Sequence, residues 1–122
     1  MILIRAIIID DETDSAEVFA EFLKIKNIDV VGLAKNGLEG VNLYREHAPD
    51  VVFSDLVMPK YDGFYALTEI KKINPDANVI IITAYYTDIM KKQLDNMGIT
   101  GIFQKPYSVT EVTNLLFKKI KA

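Results

Sequence analysis

Five side chains in this sequence have the types and spacing that chemistry requires. They are the carboxylates of Asp10, Asp11 and Asp55, the hydroxyl of Thr83 and the ammonium of Lys105. An acidic group with no histidine or cysteine beside it suits a hard cation. Mg2+ is the natural choice, because it takes a few carboxylates together with phosphate oxygens and keeps part of its water. An aspartate carboxylate is also a competent nucleophile at phosphorus, giving an aspartyl phosphate. A transferring phosphoryl group needs positioning and charge neutralisation more than covalent help. Mg2+ on one side and Lys105 on the other would supply that charge, and the Thr83 hydroxyl would donate to a phosphoryl oxygen.

Singly, each residue has an ordinary role. An aspartate at a strand end caps the next helix, a threonine closes a strand, and a lone lysine is solvated. The weight lies in where the pattern places all five. Two carboxylates about 4 Å apart repel by roughly 4 kcal/mol at an effective dielectric near 20. Converging acids therefore require a proton or a cation.

The elements that must bring them together follow from periodicity. Residues 2–9 are rich in Ile and Leu and read as a strand buried on both faces. Residues 30–34 form a weaker strand, interrupted by Gly32, which suits an edge. Residues 51–54 and 79–83 are two more buried strands, and residues 100–104 a short fifth. Between them lie helical patterns over residues 13–26, 37–48, 63–74 and 88–97. In the first, Val18, Phe19, Phe22 and Leu23 form the apolar stripe, with Glu17, Glu21 and Lys24 opposite. Val41, Tyr44 and Ala48 repeat in the second, before Pro49; Leu67 and Ile70 point inward in the third; Gly98 stops the fourth. Ser108-Val109-Thr110-Glu111 is a capping-box sequence opening a last helix with Val112, Leu115 and Leu116 on one side. Lys118, Lys119 and Lys121 suit its C-terminus.

Strict βα alternation predicts an α/β fold, a doubly wound five-stranded parallel sheet joined by right-handed crossovers. The order 2-1-3-4-5, flavodoxin-like, needs only these five strands. Ligands of such sheets sit at the carboxyl ends of the strands, at the switch point between strands 1 and 3. Asp10, Asp11 and Asp55 converge there, and Thr83 and Lys105 are expected to line one side of the same pocket.

The bulk numbers narrow the classes. The chain has 122 residues, which predicts one domain over 1–122. It has no cysteine, which excludes disulfides, zinc-thiolate sites and thiol nucleophiles. A net charge of −3 argues against direct DNA binding. The apolar run in the first ten residues is too short for a membrane span and has no cleavage site, so the cytoplasm is the default. His47, the only histidine, sits at a helix end. That counts against a histidine phosphotransfer protein and against a Ser–His hydrolase.

Taken together, these pieces resemble the receiver domains of two-component response regulators. The matching residues are Ile7-Ile8-Ile9-Asp10-Asp11-Glu12, Asn36-Gly37, Pro49-Asp50-Val51-Val52-Phe53-Ser54-Asp55-Leu56-Val57-Met58-Pro59, Asp62-Gly63, Thr83-Ala84 and Lys105-Pro106. They run in order along essentially the whole chain. The resemblance implies that Asp55 is the phosphoacceptor and that Asp10 and Asp11 are the acidic pair, Asp11 the direct metal ligand. It implies that the Val57 backbone carbonyl binds Mg2+, that Thr83 and Lys105 contact the phosphoryl group, and that a cis peptide precedes Pro106. It also implies a partner sensor histidine kinase or histidine phosphotransfer protein, and a downstream protein target met by the helix 4–strand 5–helix 5 face. With no output segment after the last helix, the pattern is that of a stand-alone, chemotaxis-type regulator or of the receiver piece of a longer one.

Two positions carry chain-specific expectations. The family often has Tyr or Phe three residues before the lysine, as a switch coupled to the threonine; here Ile102 stands there, and Phe103 points to the opposite face. The switch is therefore expected to work by movement around residues 85–90. Val57 and Tyr85, two residues after Asp55 and Thr83, would flank the attacking water and slow self-dephosphorylation. Tyr85, Tyr86, Ile89 and Met90, with Ile102 and Tyr107, read as a partner surface, with half-buried packing as the alternative. A different class, an Mg2+-dependent phosphohydrolase with an aspartyl nucleophile, would want Asp-x-Asp after the first strand, where this chain has Asp-Asp-Glu.

Overall fold

The computed structural model describes residues 3–120, so Ile2 and Lys121 lie outside the described residues. The elements are β1 (Ile4–Ile9), α1 (Thr13–Ile25), β2 (Ile28–Ala34), α2 (Gly37–His47), β3 (Val51–Ser54), α3 (Gly63–Ile73), β4 (Val79–Thr83), α4 (Asp88–Asn96), β5 (Gly101–Gln104) and α5 (Val109–Lys119). The strands form one parallel sheet in the order β2-β1-β3-β4-β5, as the alternation predicts.

Side chains that alternate along the strands feed two cores. Ile7, Ile9, Val52, Val79 and Ile81 pack with Val41 and Tyr44 of α2, Leu67 and Ile70 of α3, and Leu94 of α4. Ile8, Val51, Phe53, Ile80 and Ile82 pack on the other face with Phe19 and Leu23 of α1 and Val112 and Leu116 of α5. Continuous apolar strands are the consequence: both faces are covered, so neither residue of an alternating pair meets water. Among the described residues, no helix is long and apolar enough to cross a membrane.

Four helices begin at a side chain that accepts a backbone N–H three residues on. Asn36 accepts from Glu39, Asp62 from Tyr65, Thr87 from Met90, and Ser108 from Glu111. Each such cap contributes about 1 kcal/mol. Gly98, with φ of 80°, follows α4 in the left-handed conformation that glycine adopts without strain. At Gly63 the requirement is space. A Cβ there would collide with the Asp55 carbonyl oxygen, so α3 can start directly against the end of β3 only with glycine in place.

The structure corrects several local expectations. The α1 stripe splits: Ala16, Phe19 and Leu23 are buried, whereas Val18 and Phe22 are 56% and 47% exposed. One helix face of that width meets the sheet, and the next pair along falls outside it. Ala48 is an exposed C-cap with φ of 43°, and buried Gly40 completes the α2 stripe instead. The edge strand β2 starts earlier, at buried Ile28, and its register slips opposite Ala6/Ile7. In α5, Val112 and Leu116 are buried but Leu115 only partly, leaning on Gly101.

Candidate functional site

Asp10, Asp55 and Lys105 each sit just past a strand end and are tied to a neighbouring strand by the backbone, and Thr83 ends β4 paired with Gln104. The Asp10 N–H donates to the Ala34 carbonyl at 2.9 Å, the Asp55 N–H to that of Ile9 at 2.9 Å, and the Lys105 N–H to that of Thr83 at 2.8 Å. Parallel ladders thus set the stagger of the strand ends, which brings the three carboxylates and the Lys105 ammonium together.

Among the described residues, Asp10, Asp11 and Asp55 form one acidic group whose oxygens, one from each residue, all lie within 4.8 Å of one another. The Lys105 Nζ donates to Asp55 Oδ2 at 3.1 Å and lies 3.6 Å from Asp10 Oδ2. Asp55 Oδ1 accepts the Leu56 N–H at 2.7 Å, and Asp10 Oδ1 accepts the Glu12 N–H at 2.9 Å. The group opens into a cleft of about 750 Å³, with room for far more than an ion.

Charge is unbalanced here. Burial pushes the Asp10 carboxyl above its ordinary value, and Asp55 and Asp11 push it further, against the Glu12 N–H and Lys105. For Lys105, burial alone would lower the pKa. The hydrogen bond to Asp55 and the attraction of Asp55, Asp10 and Glu12 outweigh it, so the ammonium is held more firmly than usual. One ammonium faces three carboxylates. All-oxygen donors in that excess fit a hard divalent cation, Mg2+ above the softer metals.

The sequence-derived set is mostly assembled, with one correction. Val57 and Lys105 line the cleft. Thr83 does not: it is fully buried, and its Oγ1 accepts the Tyr85 N–H at 3.1 Å. The hydroxyl is turned along the backbone into the β4–α4 connection. The partner-surface expectation also divides. Tyr85 and Ile89 are 64% and 79% exposed. Ile102 is instead half-buried against the core beside α4, with Met90, and Phe103 packs on the opposite face as expected. Tyr107 belongs to the cleft, not to that surface: its ring lies edge-on to Phe19, which lies edge-on to Phe53. Sequence reasoning missed this ring contact. The alternation placing Phe53 on the α1 face was the one signal for it. The Lys105-Pro106 peptide is cis, as the resemblance implied.

Residues 6–117 match the response regulator receiver domain family. The chain is 32% identical over 116 residues to the chemotaxis protein CheY of Bacillus subtilis, covering 95% of this chain and 97% of that protein. It is 32% identical over 117 residues to CheY of Thermotoga maritima, covering 96% and 98%. Its fold is similar to a chain in the crystal structure of the CheX–CheY–BeF3–Mg complex from Borrelia burgdorferi, with a TM-score of 0.90 at 24% identity, covering 95% and 88%.

The imbalance at Asp10 has a measurable consequence. A carboxyl whose folded-state pKa is raised favours the fold below its unfolded value, and that contribution is lost as pH rises through the folded value. At neutral pH without a divalent cation, ionised Asp10 therefore costs stability. Asp10→Asn keeps the acceptor for the Glu12 N–H and is expected to raise the melting temperature. The gain should shrink as pH falls toward about 4. A series of melts across pH tests this, and a lower melting temperature for the variant at pH 7 contradicts it.

Proposed function

The chain belongs to the response regulator receiver domain family of two-component signalling, with chemotaxis CheY proteins among its relatives, and we propose that Asp55 is its phosphoacceptor. The observation that carries this is the ammonium of Lys105 at 3.1 Å from Asp55 Oδ2, with the carboxylates of Asp10 and Asp11 converging on the same point. The donor is a phosphohistidine of a sensor histidine kinase or a histidine phosphotransfer protein. Exposed apolar Val18 and Phe22 border the cleft, which suits a protein donor better than a small phosphate ester. That border, and the lack of any enclosing cap among the described residues, favour a signalling module over a phosphohydrolase turning over free substrates. Such a module works in the cytoplasm, where kinases of this type present their phosphohistidine.

In this reaction an Asp55 oxygen forms a bond to phosphorus as the donor's P–N bond breaks. Lys105 moves with the charge, from the carboxylate to a phosphoryl oxygen. Asp10, Asp11, Asp55 and the Val57 backbone carbonyl would hold Mg2+, which would supply further positive charge to the phosphoryl oxygens. The buried Thr83 side chain, whose Oγ1 accepts the Tyr85 N–H, swings to donate its own O–H to a phosphoryl oxygen. The phosphoryl group is later lost by hydrolysis: water attacks phosphorus in line with the Asp55 oxygen–phosphorus bond, which breaks to give inorganic phosphate and the free carboxylate. Val57 and Tyr85 stand over that approach, both exposed and both lining the cleft.

The output runs through the β4–α4 connection. Thr83 is hydrogen-bonded to Tyr85, and α4 has Leu94 as its one fully buried residue among those described. Turning the hydroxyl releases residues 85–90 and re-presents Tyr85 and Ile89 to a downstream protein on the α4–β5–α5 face. Ile102, already packed inward, does not move.

Incubation with acetyl phosphate and Mg2+ is expected to add about 80 Da, one phosphoryl group, to the wild type and nothing to Asp55→Asn. Addition independent of Mg2+ or of Asp55 would sink the assignment. Replacing both flanking side chains, Val57→Asn and Tyr85→Glu, is expected to speed loss of the phosphoryl group by roughly tenfold, the scale of water positioning; an unchanged decay rate refutes their shielding role. Amide exchange in 85–96 is expected to change on adding beryllofluoride and Mg2+, while 101–104 stays as it was. Unchanged exchange in 85–96 would rule out this route.

A further inference from the structure

Three aromatic rings run edge to face along the floor of the cleft. The Phe53 and Phe19 centroids are 5.1 Å apart at 87°, and those of Phe19 and Tyr107 5.4 Å apart at 82°. Phe53 lies on β3, two residues before Asp55. Phe19 lies on α1, the helix that follows Asp10 and Asp11. Tyr107 stands two residues after Lys105. One run of rings therefore joins the three chain segments that carry the acids and the ammonium.

The segment bearing Lys105 has the most need of such a tie. Strand β5 is at the sheet edge, paired only with β4, and none of its residues is fully buried. The lysine stem is long and rotamer-rich, so it cannot aim itself. Pro106 is exposed, and Tyr107 is the first residue after Lys105 to reach the core, packing against the cluster that holds Phe19 and Phe53. Edge-to-face contact is directional, so the ring resists sliding as well as separation. Among the described residues no hydrogen bond is made by the Tyr107 hydroxyl, which lies near enough to Lys105 and Asp10 to feel their charges, while the ring supplies the packing contact.

We propose that Tyr107 is a positioning residue for phosphoryl transfer: seated edge-on against Phe19, it fixes the chain after β5 so that the Lys105 ammonium meets the Asp55 carboxylate. The inference rests on Asp55 being the phosphoacceptor. It differs from a general packing role in what it touches, the reach of Lys105 and not the acids that would hold Mg2+.

The test is the rate of Asp55 phosphorylation by acetyl phosphate across a range of Mg2+ concentrations. Tyr107→Leu is expected to slow the reaction at saturating Mg2+ roughly tenfold, as loss of aim does, with the half-saturating Mg2+ unchanged. Tyr107→Met, which keeps bulk without a ring, should behave alike. Tyr107→Phe should restore the wild-type rate. Val112→Ala opens the same cluster away from the rings, and should lower the melting temperature without that loss of rate. A wild-type rate in both ringless variants overturns the inference. So does an equal loss in Val112→Ala or Tyr107→Phe, or a shift in half-saturating Mg2+ in place of the saturated rate. A wild type that takes no phosphoryl group overturns the phosphoacceptor assignment itself, a result distinct from all of these.

Discussion

One ion pair anchors the carboxyl end of this sheet. Lys105 faces Asp55 and Asp10 together, a single ammonium beside three crowded carboxylates. Left to electrostatics, the acids would separate. They stay because each follows a strand whose position is set by ladder hydrogen bonds and by cores on both faces. The fold thus stores an excess of negative charge that a cation relieves, and burial raises the cost by keeping Asp10 away from water. Stability is given up at the place where ligand charge is wanted.

The same backbone is the route of the proposed switch. Thr83 ends a fully buried strand, yet its hydroxyl is engaged with the first turn of the β4–α4 connection and not with the acids. Beyond that connection α4 is lightly held, with half-buried Met90 and Met97 around Leu94. Methionine adapts its shape at little cost, so such a helix can shift while the sheet under it stays packed. With Ile102 already half-buried against the core, a side-chain swing is not needed for the proposed site to be felt at the surface.

Helix α1 shows how one element serves two ends. Ala16, Phe19 and Leu23 seal the core, and Phe19 also joins the rings that reach from β3 to the segment after β5. The adjoining Val18 and Phe22 stay in water beside the cleft. A helix that packed all of its apolar residues would leave the cleft with a wholly polar rim.

Much of this was legible in the order of residues. Apolar runs bounded by acids located the strands, their alternation with helical periods dictated a parallel sheet, and the switch-point rule brought Asp10, Asp11, Asp55 and Lys105 together. These follow from local periodicity and chain connectivity, which a sequence carries directly. Packing decided the rest. Periodicity marks Val18 and Phe22 as apolar but cannot say how wide a face the sheet will cover. Nor can it say which way a buried hydroxyl turns, which is why Thr83 was expected in the cleft and is found accepting the Tyr85 N–H. Tyr107 looked like a surface residue among other tyrosines; only the approach of α1 to the end of β5, distant in sequence, turned it into part of the site.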